Sequence, residues 1–153
     1  MALWNKICCA VDFSEPSRLA MEDAAALAKQ LGAELTLLHV HELPTAATTG
    51  MLVSPPELFA AAVTEVEHKL EVWRVEAEQL ACRPVRMKVV PGAAAVEIVR
   101  FATEEGMDAI VVATHGRTGL RRLLIGSVAE RVVAQADCPV VVVRHPVNRI
   151  EPD

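Results

Sequence analysis

Gly116, Gly126 and Ser127 are the residues whose types and spacing point most directly to chemistry. They lie in one stretch, Ala113 to Ser127, that begins where the apolar run Ala109-Ile110-Val111-Val112 ends. A helical pattern with Val128, Val132 and Val133 follows it. A buried strand that empties into a glycine-bearing loop and then a helix N-terminus presents free backbone N–H groups and the positive end of a helix dipole. Both favour an anion, most often phosphate. Glycine at 116 and 126 lets backbone approach that anion without a Cβ in the way. The same segment carries the cationic side chains of Arg117, Arg121 and Arg122, with His115 beside them. A plainer use of the residues stands next to this one: Ser127-Val128-Ala129-Glu130 has the form of a capping box, in which Ser127 only closes its own helix. The chain contains neither Gly-x-x-x-x-Gly-Lys-Ser/Thr nor Gly-x-Gly-x-x-Gly, so the two best-known phosphate loops are absent.

These residues sit in a chain of 153 amino acids, the size of one domain with a substantial core. Hydrophobic residues make up 52% and charged ones 23%, which excludes a disordered segment. The formal net charge of −5 argues against nucleic acid or an anionic membrane as the main partner, since both select basic surfaces. No apolar run approaches the roughly 18 residues of a membrane span, and the start, Met1 to Val11, does not read as a signal peptide. The four cysteines form no Cys-x-x-Cys and read as packing residues; with these features the expected location is the cytoplasm. His39 and His41 share a strand face, but no third ligand accompanies them. His39 therefore reads as a packed or hydrogen-bonded residue, and no metal site is expected.

The elements that must position the loop follow from pattern. Leu3 to Val11 predicts a strand covered on both faces, ending at Asp12. Ser14 is a good N-cap for a helix carrying Pro16 in its first turn and stopped by Gly32. Glu34 to Val40 predicts the second strand. The segment Leu43 to Pro56, rich in proline, threonine and small residues, is the longest expected loop and the candidate lid. A long helix, Glu57 to Ala81, carries the stripe Phe59, Val63, Val66, Leu70, Trp73, Ala77 and Leu80, expected to lie on the sheet, with a coiled-coil seam for a partner as the alternative. Val85 to Val90 alternates as an edge strand does. A helix from Ala93 to Glu105, a strand ending at Ala113, a helix from Ser127 to Ala136 and a strand from Pro139 to Arg144 complete the series. Strict alternation of strand and helix predicts an α/β domain with a parallel sheet and helices on both faces. Ligands in such sheets bind beyond the carboxyl ends of the strands, where strand order reverses. Asp12 and the Ala113–Ser127 loop both lie at carboxyl ends and share a crevice if strands one and four are neighbours.

The late block Thr-His-Gly-Arg-Thr-Gly, followed by Gly-Ser-Val-Ala-Glu-Arg-Val, together with Ile7 to Ser14, Leu37 to Val40 and Pro139 to Arg144, resembles the universal stress proteins. The chain looks like a single-domain member of the UspA superfamily over nearly its whole length. The resemblance implies a universal stress protein domain over residues 1–146, a polar tail over 147–153, and an open, Rossmann-like five-stranded sheet of order 3-2-1-4-5. It also implies a homodimer through the strand at 139–144. ATP-binding members of that family carry Gly-x2-Gly-x9-Gly-Ser/Thr. In this sequence Gly116, Gly126 and Ser127 match the pattern, with the nine residues Arg117 to Ile125 between the glycines, while Ala113 replaces the first glycine, a position set against the ribose.

The same resemblance makes Asp12 the acid that holds the ribose hydroxyls and Val40 the strand-end residue whose backbone reads adenine. Ala10 faces the base. Backbone at Gly116 and from Gly126 to Val128, with the Ser127 hydroxyl, would hold the phosphates of ATP, and His115 and Arg117 are further phosphate contacts. Mg²⁺ would ride on the nucleotide, because no carboxylate in the loop is placed to hold it. The expected function is an adenine-nucleotide-binding stress-response module. The loop has no lysine and no evident water-positioning carboxylate or glutamine, so catalysis is not expected and no catalytic residue is assigned. Two alternatives remain at this stage: a very slow ATPase or phosphotransferase on the same site, and a ligand-free dimeric interaction protein, the reading that Ala113 favours.

Overall fold

The computed structural model describes residues 3–42, 56–114 and 125–144. Its elements run β1 (Lys6–Ala10), α1 (Glu15–Leu31), β2 (Glu34–His41), α2 (Pro56–Ala81), β3 (Val85–Pro91), α3 (Ala94–Glu104), β4 (Ala109–Ala113), α4 (Ser127–Gln135) and β5 (Val140–Val143). All strand pairs are parallel, and the sheet order is β3-β2-β1-β4-β5. The expected α/β architecture and strand order are therefore present. The candidate lid Leu43 to Pro56, apart from Pro56, which opens α2, lies outside the described residues, as do the loop residues His115, Gly116, Arg117, Arg121 and Arg122 and the C-terminal tail.

Neighbouring side chains on a strand point to opposite faces, and each face of this sheet builds its own core. Ile7, Cys9, Leu35 and Leu37 pack with Met21 and Ala24 of α1 and Leu70, Trp73 and Ala77 of α2. On the other face Cys8, Leu38 and Ile110 pack with Ile98 and Ala102 of α3 and Ala129 and Val132 of α4. The adjacent cysteines of β1 thus divide between the two cores. Burial pushes the Cys8 thiol up to about 12, and Cys9 is raised as well, so both behave as small apolar groups.

The caps of α1 follow its sequence. Ser14 accepts the backbone N–H of Ser17 at 3.3 Å, and Gly32 adopts the left-handed conformation at φ 66°. Two expectations need correction. The first strand is shorter than Leu3–Val11, beginning at Lys6, because the main chain at Asn5 and Lys6 turns its N–H groups onto the Asp108 carboxylate instead of a strand neighbour. Of the stripe on α2 only Leu70, Trp73 and Ala77 are buried, and Ala81 is buried beside them, whereas Phe59 and Leu80 are exposed. A helix of this length spans about 39 Å, longer than the sheet it covers, so its first half projects past the strands. A straight helix also drifts from a strict 3.5-residue repeat, which moves the buried line from Leu80 to Ala81.

Candidate functional site

Strands β1 and β4 are neighbours, with Ile7, Cys8 and Cys9 opposite Ala109, Ile110 and Val111. The helix that follows β1 in the chain, α1, packs on one face, and the helix that follows β4, α4, packs on the other. Beyond the carboxyl ends of the two strands this leaves a crevice at the point where strand order reverses. It holds a cavity of about 410 Å³, lined in part by Ala10, Asp12, Ser14, Ser17, His39 and Val40. Glu42, Ala94, Ile98, Ala113, Thr114 and Val128 close its other sides. The first turns of α1, α3 and α4 all reach this end of the sheet.

Of the sequence-predicted residues, Ala10, Asp12, Val40, Ala113 and Val128 are brought together around this cavity. Gly126 and Ser127 adjoin Val128 at the start of α4 but are not among the lining residues. The capping-box reading of Ser127 does not hold. Gly126 is the N-cap, Ser127 is the first helical residue, and no side chain among the described residues caps the helix. The cause is the extended backbone of Gly126, with ψ 153°, which ends the non-helical chain one residue earlier than the Ser-x-x-Glu pattern places it. Gly126 has φ −53°, open to any residue, so the glycine is not required by backbone conformation. What it supplies is the absence of a side chain.

Asp12 is exposed at the mouth, and the turn that follows holds it. Its Oδ1 accepts the backbone N–H of Ser14 at 2.9 Å and also the Ser14 hydroxyl. Its own N–H donates to Ser17 Oγ at 3.2 Å. Phe13 adopts a left-handed conformation at φ 64°, costly for a side chain with a Cβ. Aromatic packing holds it there: its ring lies 4.7 Å from that of His39 and meets Trp73 edge-on at 5.3 Å. His39 is half-buried, and its Nδ1 lies 2.8 Å from the carbonyl of Val11. Burial, the largest influence, lowers its pKa, so the neutral imidazole prevails near pH 7. His39 is thus the packed, hydrogen-bonded residue that its place in the sequence predicts.

Main-chain directions along β2 say what the end of that strand can offer. The N–H of Glu34 donates to Asn5 O at 2.8 Å, and Leu38 O accepts the N–H of Val11 at 2.9 Å. Even-numbered residues of β2 therefore turn their N–H and C=O toward β1. His41 O accepts from Gly92 N at 3.0 Å, so odd-numbered residues face β3. Val40 consequently directs a donor and an acceptor toward β1 at a level where β1 has already ended.

Sequence reasoning missed Ser14, Ser17, Glu42, Ala94, Ile98 and Thr114 as lining residues. Thr114 is buried and ties β4 to β5 through its N–H to Val143 O at 3.1 Å. Among the described lining residues the ionisable carboxylates are Asp12 and Glu42, and none is Lys or Arg. This end of the crevice suits groups that donate hydrogen bonds, such as sugar hydroxyls and exocyclic amines.

Residues 4–144 match the family model described as the Universal stress protein family, and the chain belongs to that family. It is 33% identical over 148 residues to the universal stress protein YxiE of Bacillus subtilis, covering 93% of this chain and 100% of that protein. It is 35% identical over 151 residues to the universal stress protein MJ0531 of Methanocaldococcus jannaschii, covering 94% and 84%. The solved structure of MJ0577, from the same archaeon, superposes with a TM-score of 0.78 at 31% identity over 94% of this chain and 98% of that one. The same fold recurs in a universal stress protein in complex with cAMP, at TM-score 0.71, 19% identity and coverage of 94% and 98%. It recurs again in one from Archaeoglobus fulgidus in complex with dAMP, at 0.66, 22% identity and coverage of 92% and 98%. No described helix is long and apolar enough to cross a membrane.

Proposed function

We propose that this universal stress protein binds ATP in the crevice beyond β1 and β4 and acts as a nucleotide-dependent stress-response module rather than as an enzyme. The observation that carries the reading is the cavity at the reversal of strand order, where Asp12 and the end of Val40 stand opposite Ala113 and Val128. An ionised Asp12 accepts hydrogen bonds from the ribose hydroxyls, while the Val40 main chain offers a donor and an acceptor to the edge of the adenine ring. The start of α4 and the backbone of Gly126, Ser127 and Val128 then face the phosphates. Further phosphate contacts are assigned to Gly116, His115 and Arg117 on sequence grounds. Mg²⁺ travels with the phosphates. Two proteins of this fold were solved with cAMP and dAMP, which are adenine nucleotides, and this favours the adenine assignment. Calorimetric titration with ATP tests it. Asp12→Ala removes a charge-assisted contact worth about 1.5–3 kcal/mol and is expected to weaken binding by roughly ten- to a hundredfold. Unchanged affinity in Asp12→Ala would remove the ribose assignment.

The protein is proposed to work in the cytoplasm as a homodimer paired through the strand at 139–144. Val140, Val141 and Val142 are half-buried, and among the described residues β5 is an edge strand bonded to β4 alone. An apolar edge of this kind templates aggregation unless it is covered. A second copy covers it symmetrically. Val141→Lys or Val142→Lys, whichever faces the partner, should give monomer or aggregate in sedimentation; a clean dimer in both would move the interface elsewhere.

A further inference from the structure

We infer that His39 is a positioning residue that holds the fork between β1 and β2 open, so that Val40 keeps its main-chain donor and acceptor for a ligand instead of closing one more rung of the ladder. The inference deepens the nucleotide reading and rests on it for the identity of the ligand. The bond from Val11 N–H to Leu38 O is the last rung between the two strands. In a regular parallel ladder the next bond runs from Val40 N–H back to the carbonyl of Val11. Among the described residues that bond is absent, and the carbonyl is occupied by the His39 ring at 2.8 Å. A carbonyl only accepts, so Nδ1 carries the proton and donates.

Three features keep the ring in place. Phe13 packs against it, Trp73 backs Phe13, and the left-handed turn at Phe13 carries the main chain away from β2 directly after Asp12. A strand end with no such side chain has a simpler outcome, in which the free carbonyl recruits the nearest N–H and the ladder closes. His39 satisfies Val11 from the side, and the cost of a buried unpaired carbonyl is avoided without using Val40. The imidazole thus acts through the main chain of Val40, and its role is to keep that main chain available.

Amide hydrogen exchange followed by NMR tests this on the ligand-free protein. In the wild type, Val40 N–H should exchange far faster than those of Thr36 and Leu38, which turn toward β1 on the same strand. His39→Leu frees the Val11 carbonyl, and exchange at Val40 should slow by at least about tenfold as the rung closes. His39→Asn presents a side-chain N–H near the former place of Nδ1 and should keep Val40 fast, a rescue that a purely space-filling role of the ring does not predict. Should His39→Leu fail to fold, the wild type and His39→Asn still decide. Val40 as slow as Leu38 in the wild type, or unchanged by His39→Leu, overturns the inference. Addition of ATP reads the parent assignment separately. Protection appearing at Val40 in the wild type supports both, whereas an open fork that ATP leaves unprotected supports the fork and rejects the nucleotide at this position.

Discussion

The two ends of the same parallel sheet are finished in opposite ways. At the amino end, main-chain groups are tied off by the protein itself. The Asp108 carboxylate accepts the N–H of Asn5 at 2.8 Å and of Lys6 at 2.9 Å. Asp108 N donates to Lys6 O at 2.8 Å, and Lys6 Nζ donates to Glu105 O at 2.6 Å. At the carboxyl end β1 stops short of β2, a side chain rather than a strand satisfies Val11, and a cavity of about 410 Å³ remains. A parallel sheet places all its strand ends of one polarity together, so one end can be closed for stability while the other is kept for a ligand. Comparable polar groups serve the fold at one end and, under the proposed function, recognition at the other.

Exchanging the two roles should fail, and the larger loss of intrinsic stability is expected at the closed end. Asp108→Ala leaves two backbone donors without their carboxylate. With water partly replacing it at this half-exposed site, the cost should be about 1–2 kcal/mol. For a domain of this size that lowers the melting temperature by roughly 3–6 °C. The additional shift produced by ATP should be unaltered. A loss of ATP response in Asp108→Ala would mean the ends are coupled, contrary to the division drawn here.

A smaller effect separates the ends by pH. The pKa of His39 is lowered from 6.5, by burial first and by His41 to a lesser degree, against the opposing pull of its bond to Val11 and of Asp12 and Glu42. Unfolding therefore takes up a proton that the folded imidazole refuses. The stability contribution of neutral His39 is complete above pH 6.5 and is lost as pH falls below it. Melting curves of the wild type should decline more steeply below that pH than those of His39→Asn. Equal slopes would show that the ring titrates as freely in the fold as in the unfolded chain.

Much of this arrangement was legible in the residues. Alternating apolar strands and amphipathic helices gave the sheet its class, and Ser14, Gly32 and the adjacent Cys8 and Cys9 behaved as their chemistry requires. Strand order came from family resemblance, since pattern alone does not rank β1 beside β4. Asp12, Val40 and Ala113 were identified on the same ground. Ser17, Glu42, Ala94 and Ile98 were not, because α1, the end of β2 and α3, which supply them, meet only through topology and carry no local motif. The Ser127 cap was misplaced by a single residue, for backbone extension at Gly126 leaves no mark in a Ser-x-x-Glu pattern. The buried length of α2 was overestimated because periodicity reports which face of a helix is apolar and not how far the sheet beneath it extends.

The central claim, that the open carboxyl end is an ATP site, is tested most directly by the melting temperature of the wild type with millimolar ATP and Mg²⁺. Ligand at ~100-fold above its dissociation constant stabilises a fold by ~2.7 kcal/mol. In a domain of this size that corresponds to a rise of roughly 5–10 °C. Ala113→Gly, which removes the methyl group lining the cavity, should raise it further. No shift in the wild type and none in Ala113→Gly would contradict the account.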